Sequence, residues 1–232
     1  MISVFQSAGQ QSMSQIFCYI VLLTLSLSAG ASDDIFPEGL EARVARVSDG
    51  ELRFLEPPPQ APVHHHYNEI EITESSLIHG WVRLRQCHYN LDPVPELEIV
   101  YSPKRIRDLK ILSADKVGES WVSGPKVQIS EIARGGRICI SAESRALRRQ
   151  GGNRYMLQNG PYMRRFLDGY YPMQISMHLS LPETIRLMEA EPKSQPGMEV
   201  DIREQSASLK GWFEGILYTR FWMCSLTGPD CP

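Results

Sequence analysis

His79-Gly80-Trp81-Val82-Arg83-Leu84-Arg85-Gln86-Cys87-His88 is the stretch on which the fold turns. Val82, Leu84 and Gln86 fall on one face of an extended chain, and Trp81, Arg83, Arg85 and Cys87 fall on the other. That period of two marks a strand with one side toward a core. Upstream, Asn68 to Thr73 alternates acidic and aliphatic residues in the same way. Downstream, the short β-branched segments Leu97–Tyr101, Ile106–Leu112, Val127–Ile132 and Arg137–Ala142 recur about every ten residues, with Pro or Gly between them. Regular short strands predict a mostly β chain, a soluble antiparallel β-sandwich that is Ig-like or related. An outer-membrane barrel would need longer strands with one clean apolar side.

Further from that centre, Gly151-Gly152-Asn153 turns the chain before Tyr155–Leu157, and Met173–Leu181, Met198–Ile202 and Gly215–Trp222 close the sheets. Ala42–Val47 and Glu51–Leu55, around Ser48-Asp49-Gly50, have a hairpin pattern. Pro57, Pro58, Pro59 and Pro62 then form a stiff connector that cannot sit in a central strand. One short helix is predicted over Pro161–Asp168: proline suits a first turn, Gly169 suits a stop, and Met163, Phe166, Leu167 and Tyr170 make an apolar stripe. Pro182–Ala190 fits a helix or a strand equally. The expected organisation is a signal peptide over residues 1–31, an N-terminal sandwich over 32–160 and a smaller C-terminal β region over 161–232 packed on it.

The first 31 residues hold no Asp, Glu, Lys or Arg, and Ile16–Leu27 is an apolar run too short to span a bilayer. Ala29-Gly30-Ala31 supplies small residues for cleavage after Ala31, so periplasm or secretion is expected. Cys18 leaves with that leader. Cys87, Cys139, Cys224 and Cys231 remain, an even number that suits an oxidising compartment. The pairing expected is Cys87–Cys139 between strand-like segments and Cys224–Cys231 around Gly228-Pro229. A formal charge of −3 argues against a nucleic-acid binder.

Two clusters carry chemistry. Between positions 143 and 168, Arg145, Arg148, Arg149, Arg154, Arg164 and Arg165 face only Glu143 and Asp168. Guanidinium groups at that density hold carboxylate, phosphate or sulfate in bidentate fashion. With the turn-rich, aromatic segment Asn159–Pro172, they make Arg148, Arg149, Arg164, Arg165, Asp168, Tyr170 and Tyr171 the binding candidates. Arg164 and Arg165 can equally pair internally with Asp168. The second cluster is histidine: His64 and His66 share a face of an extended chain and, with His79 or His88, offer imidazoles to Zn²⁺ or Cu²⁺. No G-x-G-x-x-G, P-loop, G-x-S-x-G, C-x-x-C or H-E-x-x-H spacing is present, and no nucleophile is singled out. Glu69, Glu71 and Glu74 suit a solvated strand surface. The residues favour an exported, non-catalytic binding or interaction module without a cofactor, recognising an anionic envelope component or an acidic protein. The alternative is a Zn- or Cu-binding protein or metal-dependent hydrolase built on the His64–His66 segment.

Overall fold

The computed structural model describes residues 3–5, 50–166, 169–228 and 231. The leader's apolar run and cleavage site, the strand expected at Ala42–Val47, and Asp168 lie outside the described residues. Over the described residues the chain is mostly β, with one short helix. In order, the strands are β1 (Ser3–Phe5), β2 (Arg53–Phe54), β3 (His65–Glu71), β4 (Trp81–Leu91), β5 (Glu96–Val100), β6 (Ile106–Asp115), β7 (Ser120–Ser123), β8 (Lys126–Ser130) and β9 (Gly136–Arg145). They continue as β10 (Leu147–Gly151), β11 (Arg154–Tyr162), β12 (Arg164–Phe166), β13 (Gly169–Tyr171), β14 (Met173–Ser180), β15 (Ile185–Glu191), β16 (Met198–Arg203), β17 (Ser206–Glu214) and β18 (Leu217–Ser225).

The largest sheet runs β16-β17-β14-β3-β4-β9-β6, with β2 also on β17. Four-stranded sheets run β10-β11-β18-β15 and β1-β5-β8-β7, and β12-β13 is a two-stranded ribbon. Pairing is antiparallel except between β14 and β3. Because β14 lies between β17 and β3, the largest sheet mixes strands from before and after residue 160, and β11 runs through that position. Several antiparallel sheets around one apolar cluster agree with a β-sandwich. No helix among the described residues is long and apolar enough to cross a membrane.

Alternation sets what faces inward. Ile70, Val82, Leu84, Ile138, Ile140, Ile175, Met177, Leu179 and Leu209 of the largest sheet are buried with Leu157, Leu217, Phe221 and Met223 of the β11–β18 sheet. On the outward face, charges opposite one another pair across the strands: Arg83 Nη1 lies 3.1 Å from Glu71 Oε1, and Arg85 Nη1 lies 3.1 Å from Glu69 Oε2. Cross-strand pairs of this kind hold register, since a slip by one residue would put these charges into the core. Cys87 and Cys139 stand directly opposite in β4 and β9 and are bonded, with Cα atoms 4.1 Å apart. Cys224–Cys231 ties the end of β18 to the C-terminal residues.

The helix is not where the apolar stripe predicted it. Pro161 and Tyr162 finish β11, and Arg164–Phe166 pairs with Gly169–Tyr171 as the β12–β13 ribbon. Gly169, at φ 139°, belongs to that ribbon instead of stopping a helix. Tertiary demands override the local pattern here, because Arg164 must reach Asp92 and Tyr162 must reach the core. The helix, α1, is Glu74–His79. The Thr73 N–H donates to Ser76 Oγ at 3.0 Å, and Gly80 ends the helix at φ 78°, a left-handed conformation suited to glycine. A Cβ at Gly80 would lie 2.7 Å from the Leu147 carbonyl oxygen, so the helix end sits directly on β10. Pro182–Ala190 resolves as a turn, with the Ile185 N–H donating to the Pro182 carbonyl at 3.0 Å, followed by β15.

Candidate functional site: a basic groove and a buried histidine cluster

The β10–β11 hairpin turns at Gly151 and Gly152, both at positive φ, and the Arg149 Nε–H donates to the Gly152 carbonyl at 2.7 Å. The Leu147 N–H donates to the Gly80 carbonyl at 3.2 Å and brings α1 alongside β10. A groove of about 720 Å³ opens between these elements, with Lys104, Arg105, Arg145, Arg148, Arg149 and His79 on its walls. Leu147 and Tyr155 supply buried apolar surface to the same groove. Arg105 is brought in by the Ser102–Arg105 turn and donates to the carbonyls of Arg145 and Gln158, both at 3.2 Å. Burial and the charge of Arg148 both lower its pKa, which reflects cations crowded together.

Many of the arginines elsewhere are neutralised. Arg53, Arg83, Arg85, Arg107, Arg137, Arg164, Arg203 and Arg220 each face a carboxylate. Among the described residues, Lys104, Arg105, Arg145, Arg148 and Arg149 have no such partner within 4.0 Å. The groove therefore holds concentrated, unmatched positive charge in a concave setting, where apolar walls strengthen the field.

The sequence candidates separate. Arg148 and Arg149 line the groove. Arg164 does not: its side chain is 19% exposed, and it donates from Nε to Asp92 Oδ2 at 3.0 Å and from Nη2 to Asp92 Oδ1 at 2.5 Å. Arg165 is exposed on the ribbon, its guanidinium carbon 5.4 Å from the Tyr170 ring centre. Tyr171 packs edge-on against Phe166 at 5.2 Å. Lys104 and Arg105 escaped notice because the charge window around positions 143–168 does not contain them. Their signal in the sequence is a basic pair in a turn between two strands, which points nowhere until β6 pairs with β9.

Histidines form a second, buried group. His66 lies opposite His88 in the β3–β4 register, and His64 projects to the same side two residues earlier. His64 and His66 are 3% exposed and His88 is 0% exposed. His64 Nε2 and His88 Nδ1 are 2.9 Å apart, and the His66 ring centre is 4.5 Å from that of His88. His66 Nε2 contacts Asn68 Oδ1 at 3.1 Å and also the Gln86 side-chain amide, while the Tyr101 hydroxyl donates to Gln86 Oε1. His88 Nε2 is buried and has no hydrogen-bond partner among the described residues. Burial pushes His64 and His66 down to about pKa 3 and His88 well below its ordinary value, so all three are neutral imidazoles. His79 stands apart at the end of α1, where its Nδ1 accepts from the Trp81 N–H at 3.0 Å. His65 points to the opposite face and meets Ser176 Oγ at 3.0 Å.

Among the described residues, no group of three or more His, Cys, Asp and Glu side chains is placed, as the side chains stand, to hold a metal ion, the histidine cluster included. No family model matches the chain, and no curated protein matches it.

Proposed function

We propose that this chain is an exported, non-catalytic binding module, working in the periplasm or outside the cell. It holds an anionic envelope component or acidic protein in the groove between α1 and the β10–β11 hairpin. Arg105, Arg145, Arg148 and Arg149 supply paired N–H donors for phosphate, sulfate or carboxylate oxygens, and Lys104 adds a point charge. The observation that carries this reading is the clustering: Lys104, Arg105, Arg145, Arg148 and Arg149 line one groove and none of them faces a carboxylate within 4.0 Å among the described residues, whereas eight arginines elsewhere do. The two disulfides suit the oxidising setting that an exported protein meets.

The test is retention on an immobilised sulfated polysaccharide across a salt gradient. Arg148→Glu with Arg149→Glu is compared with Arg134→Glu, an exposed charge outside the groove. The groove variant is expected to elute at markedly lower salt than the wild type, and the Arg134 variant close to it. Equal elution of wild type and groove variant would refute the assignment.

A further inference from the structure

We propose that His64, His66 and His88 form a binding site for a borderline divalent metal ion, Cu²⁺ or Zn²⁺, separate from the basic groove. Three imidazoles from two adjacent strands meet on the core side of the largest sheet, with ring centres 4.5 Å (His66–His88), 5.1 Å (His64–His88) and 6.5 Å (His64–His66) apart. None of them hydrogen-bonds a carboxylate among the described residues. Buried histidine that serves only packing would be expected to have both ring nitrogens satisfied. Among the described residues, His88 Nε2 is buried and unmatched, while His88 Nδ1 and His64 Nε2 have only each other.

Neutral imidazole nitrogen is a good donor for Cu²⁺ and Zn²⁺ and a poor one for Mg²⁺ or Ca²⁺, which defines the class of ion. Ligation requires the rings to turn about their side-chain bonds. His66 must exchange its contact with Asn68 and Gln86 for the ion, and the proton shared by His64 and His88 must move to the far nitrogen of its own ring. No proton is released from the site by that tautomer change, and each imidazole then offers one lone pair. Asn68 and Gln86, themselves buried and hydrogen-bonded to each other at 3.1 Å, hold the His66 ring through Nε2 in the ion-free protein. Arg164, whose charge bears on His64, is already neutralised by Asp92.

The experiment is a Cu²⁺ titration and a Zn²⁺ titration of the untagged, chelator-stripped chain, with electron paramagnetic resonance of the Cu²⁺-loaded protein. One ion per chain is expected, with nitrogen hyperfine splitting from three imidazoles. His66→Asn and His88→Asn should each weaken binding by more than about 10-fold, while His178→Asn, on the outer face, leaves it unchanged. The spectrum of the wild-type protein keeps the test sharp even where a buried variant fails to fold. No stoichiometric ion, a centre with one imidazole, or binding abolished by His178→Asn would each overturn the proposal. A Cu²⁺-only or Zn²⁺-only result supports the site and identifies its ion.

Discussion

Acid should unfold this protein through its buried histidines, well before its carboxylates titrate. Burial holds His64 and His66 at about pKa 3 in the folded chain, against 6.5 for a histidine in water. The unfolded chain therefore takes up protons that the folded chain refuses, and stability falls as pH drops through 6.5 toward 3. At pH 6 each imidazole removes about 0.8 kcal/mol, and at pH 5 about 2 kcal/mol, relative to pH 8. Those figures depend on the unfolded value, since any folded pKa well below 5 gives nearly the same result. His64 and His66 together thus cost about 4 kcal/mol at pH 5, with His88 acting in the same direction, against total stabilities of about 5–15 kcal/mol. Glu98, held below the ordinary carboxylate range by Gln128 and Lys126, contributes its loss only at lower pH. Urea unfolding at pH 8, 6 and 5, with chelator present, should show the midpoint falling by about 2 M over the range for a slope near 2 kcal/mol per M. A midpoint that moves by less than about 0.5 M would refute the reasoning and mean that the three rings accept protons without unfolding.

Two further outcomes follow from covalent and ionic ties. Opening Cys87–Cys139 by paired Ser substitutions should cost about 4 kcal/mol on loop-closure grounds, and opening Cys224–Cys231 about 2.5 kcal/mol, measured by urea unfolding with each pair replaced separately. Equal costs would show that loop length does not govern them. Arg164→Ala should destabilise by about 2–3 kcal/mol, because it strands the Asp92 carboxylate, which is 25% exposed, and removes the donor to the Pro172 carbonyl. Retention on the sulfated matrix should stay unchanged in that variant at temperatures where it remains folded. Lost retention there would extend the recognition surface to the β12–β13 ribbon.

The chain's own pattern was enough for its β character, most strand positions and both disulfides. Alternation in Trp81–Leu91 or Met173–Ser180 reports directly which side of a strand meets water, and the four cysteines of residues 32–232 close one long loop and one short one. It misplaced the helix. Met163, Phe166, Leu167 and Tyr170 have helical spacing, but Arg164 and Tyr162 are claimed by Asp92 and by the core, contacts that no local window contains. Strand β17 also went unread, because Ser206–Glu214 includes Gly211 and Lys210 and gains its strand character from lying between β14 and β16. The candidate sites divide the same way. Residue type marked out arginine and histidine as the chemistry, but composition cannot say which arginines are already neutralised or which histidines share a face. Charge pairing and burial are decided across sheets: Asp92 captures Arg164, Lys104 and Arg105 come in from a distant turn beside Arg145 and Arg148, and His88 joins His64 and His66 while His79 is left at the helix end. Period and residue type are local properties and can be read along the chain, whereas Coulomb energy and desolvation depend on distance in space, which only the tertiary structure sets.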